Sequence, residues 1–200
     1  VAQRLRLIAP KVAKRRVAID TFVLEELPDA VAKADLTVFA CDAPGVALDW
    51  NAYWGGQDMH FVLRSRFSVP KGWKHPALHL PLGVAGDIFT HPEGLLYIDG
   101  EAIGSADRYH HTIEVPEKYA DDLPHDLLIH GWTGLSGWPP DPSNPTQLLM
   151  KECSVIDIDR ALEEFLTLAE VALDLCSELN DNRPEKHGLR ETLTEHQPQN

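Results

Sequence analysis

From about residue 36 to residue 158 the chain alternates between apolar and polar positions. Between His60 and Pro70, Phe61, Leu63, Ser65, Phe67 and Val69 fall on one side of an extended chain; Val62, Arg64, Arg66 and Ser68 fall on the other. A strand of this kind lays one face on a core and leaves the other largely polar, as in an antiparallel sandwich. Leu78, Leu80 and Leu82 alternate in the same way with Ala77, His79 and Pro81, predicting a second strand. A third runs through Leu95-Leu96-Tyr97-Ile98 and turns on Asp99-Gly100, a pair that accepts the positive φ angles of a tight primed turn. Further strands are predicted over 17–24, 109–115, 126–132 and 148–156. Their spacing, with turn residues between, predicts a mainly β fold: a jelly-roll or galactose-binding-like β-sandwich over 17–156.

The two ends follow a helical period instead. In residues 1–16, Leu5, Ile8 and Val12 are spaced for a short helix interrupted by Pro10, and Arg4, Arg6, Lys11, Lys14, Arg15 and Arg16 make it basic. Residues 157–200 read as a helical connector with a polar tail. Asp157 is the expected N-cap, and Ile158, Leu162, Phe165, Ala169, Leu173 and Cys176 recur every three or four residues to about Leu179. A second helix is expected over 184–194. The stretch 131–146, with Gly131, Gly134, Gly137, Pro139, Pro140, Pro142 and Pro145, is expected to be a loop displaying Trp132 and Trp138.

Composition narrows the function. The 200 residues are 44% hydrophobic and 24% charged, which is ordinary for a globular protein. A formal net charge of −13 disfavours nucleic acid or an anionic membrane as partner and leaves a neutral ligand such as a sugar compatible. Cys41, Cys153 and Cys176 are odd in number and far apart, so the expectation is reduced thiols in a reducing compartment. No apolar run approaches the length of a membrane span, and the opening Val1-Ala2-Gln3-Arg4-Leu5-Arg6 lacks a secretory core. Cytoplasmic location follows as the default, and a start without Met suggests a processed chain.

Catalytic patterns are not evident. Ten histidines show no His-Glu-x-x-His or His-x-Asp spacing, and His110-His111 would point to opposite strand faces, so no metal site is expected in this chain. Ser136, in Gly134-Leu135-Ser136-Gly137, lacks the strand-to-helix setting of a nucleophile elbow. Carboxylates such as Asp58, Asp87, Glu93, Asp99, Glu101 and Asp107 could supply a glycosidase pair, yet Asp99 is explained by its turn; no catalytic residue is assigned. Trp54, Trp132 and Trp138 are the candidates for carbohydrate or interdomain contact, since indole faces suit the C–H face of a pyranose. Ile158, Leu162 and Phe165 form the candidate helix docking face.

Trp54-Gly55-Gly56, Arg66-Phe67-Ser68-Val69-Pro70 with Trp73, and Leu96-Tyr97-Ile98-Asp99-Gly100-Glu101 resemble the N-terminal region of zinc-dependent α-mannosidases of glycoside hydrolase family 38, cytosolic type. The likeness continues through His110-His111, residues 131–140 and the acidic helix, covering about 17–194. It implies a non-catalytic N-terminal domain serving a structural or ancillary role. The zinc, the carboxylate nucleophile and the His-x-Asp metal motif would belong to a catalytic domain elsewhere in the polypeptide, and no cofactor to this segment. The resemblance further implies that the parent is a retaining exo-mannosidase, homo-oligomeric, cleaving terminal α-linked mannose. The catalytic domain of the same polypeptide is then the expected partner, with a glycan as a candidate ligand. The alternatives are a free-standing carbohydrate-binding module and the ancillary sandwich of another glycosidase family.

Overall fold

The computed structural model describes residues 2–27, 45–83, 90–135, 148–179 and 184–195. In chain order these form α1 (Ala2–Ile8), a 3-10 turn (Ala9–Val12), β1 (Ala13–Ala18), β2 (Phe22–Leu27), β3 (Val46–Leu48), β4 (Tyr53–Trp54), β5 (His60–Ser68) and β6 (Pro76–His79). There follow β7 (Thr90–Ile98), β8 (Glu101–Ala106), β9 (Thr112–Glu114), a 3-10 turn (Glu117–Tyr119), β10 (Pro124–Gly134), β11 (Leu148–Leu149), β12 (Ser154–Ile158), α2 (Arg160–Glu178) and α3 (Pro184–Glu195). Two compact units result: Arg16–Asp157, and Val1–Arg15 together with Ile158–Asn200. Among the described residues, no helix is long and apolar enough to cross a membrane.

The larger unit is mainly β. One sheet has six strands in the order β3-β2-β5-β10-β7-β8, another has four in the order β1-β12-β6-β9, and β11 pairs with β4. The pairings that build the six-stranded sheet are all antiparallel. Alternation along β5 places Phe61, Leu63 and Phe67 in the interior, where they meet Leu96 and Ile98 of β7 and Leu127 and Ile129 of β10. Leu78 of β6 and Val155 of β12 join the same cluster from the four-stranded sheet. The two sheets thus share one hydrophobic core, as in a β-sandwich. Each fully buried Leu, Ile or Phe there contributes about 1.5–3 kcal/mol by leaving water.

The β7–β8 turn takes the conformation its residues predict: Asp99 and Gly100 have φ of 49° and 83°, and Ile98 pairs with Glu101. Five sequence expectations are corrected. The helix expected over 1–16 gives way to a 3-10 turn and to β1 from Ala13, and the strand expected over 148–156 is two, β11 and β12, in different sheets. Residues 17–24 are not one strand. The chain bends at Ile19–Thr21 to pass from the four-stranded to the six-stranded sheet, held by Asp20 N–H to the Arg66 carbonyl (2.9 Å) and by the Ser65 hydroxyl to the Asp20 carbonyl (2.6 Å). The expected loop from Gly131 begins later, because β10 continues through Gly134. Gly131 serves close packing there: a Cβ would stand 2.4 Å from the Glu93 carbonyl oxygen and 2.6 Å from Phe61 Cζ. Finally, Asp159 rather than Asp157 caps the long helix, accepting a hydrogen bond from Leu162 N–H (3.2 Å). Asp157 is buried on β12 and accepts from His75 N–H (3.2 Å).

In the helical unit, Leu5, Leu166 and Ala169 are buried together, with Ile8, Val12, Leu162, Phe165, Ala172 and Leu173 packed around them. The N-terminal helix thereby covers one side of α2. The Lys186 ammonium donates to the Leu179 carbonyl (2.8 Å), satisfying an acceptor at the α2 C-terminus from α3.

Candidate functional site

The outer face of the six-stranded sheet carries a groove of about 460 Å³. Its floor follows from strand register. Trp132 on β10 lies directly opposite His60 on β5 and Glu93 on β7, so these three side chains form one row across three strands. Two residues along, His130 lies between Val62 and Leu95, and Leu95 faces Ser105 on β8. Period-two alternation puts both rows on the face away from Ile129 and Leu127. Asp107, just past β8, closes one side.

The indole is held by its polar edge. Trp132 Nε1–H donates to Asp58 Oδ1 at 2.7 Å. Asp58 is presented by a tight turn in which its φ is 53°, a conformation Asp tolerates better than most residues. That turn is tied to the end of β10. Asp58 N–H reaches the Gly134 carbonyl (3.0 Å), and the buried Thr133 hydroxyl donates to the Gly56 carbonyl (2.6 Å) and accepts from Met59 N–H (3.0 Å). β10 is irregular between Trp132 and Gly134, which re-aims the side chains at the strand end.

The charges around the groove are fixed. Glu93 Oε1 is 3.0 Å from His91 Nε2. Asp107 is held down at about 2 by its hydrogen bond to the His110 ring, reinforced by the backbone N–H groups of Tyr109 and His110. Burial first, and the neighbouring His60 second, push the His130 imidazole below its ordinary value, so it stays neutral at pH 7. The groove is therefore acidic to neutral.

No protein-family model matches this chain, and no curated protein is significantly similar to it.

Of the predicted contact residues among the described ones, Trp132 lines this groove and Trp54 does not. Trp54 is a correction: it is 5% exposed, its Nε1–H donates to the Leu82 carbonyl (2.8 Å), and its ring meets Phe61 edge-on at 5.0 Å, so it is core. Trp138, Ser136 and Cys41 lie outside the described residues. The helix docking face is also corrected. Ile158 is buried on β12, and Leu162 and Phe165 pack toward Leu5 of α1. The apolar stripe that reaches solvent is instead Leu168, Val171 and Leu175, at 70%, 61% and 48% exposure. His60 and His130 have no motif signal in the sequence, and Glu93, Asp58 and Asp107 stand there only as candidate glycosidase carboxylates. Carried past Ile129, the alternation puts Gly131 on the inner face and Trp132 on the outer face with His130. Among the described residues, no group of three or more His, Cys, Asp or Glu side chains is placed to hold a metal ion.

Proposed function

We propose that this chain is the non-catalytic N-terminal module of a zinc-dependent α-mannosidase, a jelly-roll or galactose-binding-like sandwich with a helical connector. The sheet order and the shared core support that fold assignment, and the order of motifs along the sequence supports the family. The observation that carries the ancillary role is the outer stripe of α2. Leu168, Val171 and Leu175 recur on one face at helical spacing, are each at least 48% exposed, and are flanked by Glu164, Glu170, Asp174 and Glu178. A connector that packs on a larger neighbour needs such a face; here the neighbour is the catalytic domain of the same polypeptide. Zinc and the carboxylate nucleophile belong to that domain, the parent is a homo-oligomer, and its substrate is terminal α-linked mannose. Cys153 and Cys176 are free thiols, which supports a reducing, cytoplasmic setting.

The test compares hydrogen exchange of α2 in this chain and in the polypeptide extended by the catalytic domain. Slower exchange around Leu168–Leu175 in the longer protein, lost in Leu168→Asp, is the expected result. Zinc-dependent hydrolysis of an aryl α-mannoside by the 200-residue chain alone would overturn the reading.

A further inference from the structure

The groove on the outer face of the six-stranded sheet has a composition that the connector role does not require. An outer sheet face with no ligand needs only solvated polar side chains. This one sets a half-buried Trp132 at the centre of a row, between His60 and Glu93, and fixes its N–H edge to Asp58 at 2.7 Å. With that edge committed, the groove meets the carbon surface of the ring. Leu95, 44% exposed in the next row, extends the apolar strip, while Ser105 beside it offers a hydroxyl. The polar groups are of the kinds that read a polyol: a carboxylate at Glu93, an imidazole held neutral at His130, and the Ser105 hydroxyl.

We propose that this groove binds a neutral hexopyranose, stacking its C–H face on Trp132 and taking its hydroxyls on Glu93, His130 and Ser105. Three features select that ligand class. The volume, about 460 Å³, lies within the range of about 300–1,000 Å³ of small-molecule clefts. The fixed charges, Glu93 and the ionised Asp107, repel an anionic ligand such as a uronate or a phosphosugar. The mixture of one indole, one exposed Leu and several short-range acceptors suits a ligand with one apolar face and a polar rim. The side chains are carried by β5, β7, β8 and β10, so the site is preformed on rigid strands rather than assembled from loops. The proposal stands on the groove alone and is independent of the mannosidase reading: loss of either leaves the other intact.

The experiment is titration calorimetry with ligand-observed NMR on the intact chain, using methyl α-mannopyranoside and methyl β-glucopyranoside, with glucuronate as the charged counterpart. Saturable binding of at least one neutral glycoside is expected at about millimolar Kd, near −4 kcal/mol. Trp132→Ala should weaken it roughly tenfold, the scale of one lost aromatic stack, and Trp132→Phe should weaken it less. Glu93→Gln is the second variant, because Glu93 is exposed and its pair with His91 is a surface one that contributes little to stability; it should cost about threefold to tenfold in affinity. No saturable binding of either neutral glycoside, tighter binding of glucuronate, or binding unchanged in both Trp132→Ala and Glu93→Gln would overturn the proposal.

Discussion

Replacing Gly131 by Ala probes the point where the core and the groove floor share one strand. Gly131 faces Phe61 on β5 and Gly94 on β7. An added Cβ would stand 2.4 Å from the Glu93 carbonyl oxygen and 2.6 Å from Phe61 Cζ, against about 3.5–4.0 Å for comfortable contact between carbon atoms. Neither neighbour yields easily. The carbonyl belongs to β7 inside the sheet, and Phe61 is fully buried with its ring edge-on to Trp54. Burying one more methyl contributes only about 0.8 kcal/mol, whereas overpacking a well-filled interior costs about 1–3 kcal/mol. With backbone as one of the two obstacles the upper end applies, so Gly131→Ala should destabilise by about 3 kcal/mol. At about 2–4 °C per kcal/mol for a chain of this size, the melting temperature should fall by about 6–12 °C. Thermal unfolding by circular dichroism measures it. The control is Gly188→Ala in α3, where an added Cβ meets nothing within 4 Å; it should stabilise that helix by about 0.5–1 kcal/mol. A Gly131→Ala variant melting no lower than wild type would refute the packing of β10 between β5 and β7.

The remaining predictions use different levers. Burial opposes the charged form of His125, but its hydrogen bonds to Asp99 (2.7 Å) and Asp121 (3.1 Å) and their charges outweigh that and raise its pKa. Its pairing should then stabilise the fold fully below about pH 6.5 and fade as pH rises through the higher folded value. Urea unfolding of wild type and His125→Gln between pH 5.5 and 9 should show their gap narrowing as pH rises; a widening gap would reverse the sign. Cys153 is buried and its thiol is pushed up to about 12, so site-resolved mass spectrometry should find it unlabelled by iodoacetamide at pH 7.5 and labelled only after denaturation. Asp159→Ala removes both the Leu162 cap and the Lys14 ion pair (3.4 Å) and should cost about 1 kcal/mol, read as faster hydrogen exchange in the first turn of α2. Equal exchange in the variant would mean that Asp159 does not cap the helix.

Much of the β unit was legible because a half-buried strand leaves a period-two record. The β5 alternation is written in consecutive residues even though its partners are distant, the Asp99-Gly100 turn is set by its own two residues, and both are present. The misread places are those where a distant partner decides. Gly131 reads as a loop residue because glycine weakens a strand, and the reason for it lies in the Glu93 carbonyl and in Phe61, seventy residues earlier in the chain. Once Gly131 is a strand residue, Trp132 moves from a loop to a sheet face, and the groove follows from parity. The bend at Ile19–Thr21 is likewise invisible locally, since both flanks are good strand sequence and the break exists to change sheets.

The long helix poses a sharper version of the same problem. Apolar residues occupy two stripes of α2, one through Leu162, Phe165, Leu166, Ala169 and Leu173 and another through Leu168, Val171 and Leu175. Periodicity alone ranks the first as the interior face, and it is the one that packs with Leu5, Ile8 and Val12 of the N-terminal helix. That packing has a consequence the sequence order conceals: the basic start of the chain and its acidic end belong to one unit. A face already covered by α1 is not available to a partner, so a docking partner would meet the second stripe, about 140° round the helix. Substitutions at Leu162 or Phe165 would therefore read out as stability of the helical unit, whereas substitutions at Leu168 or Leu175 isolate association.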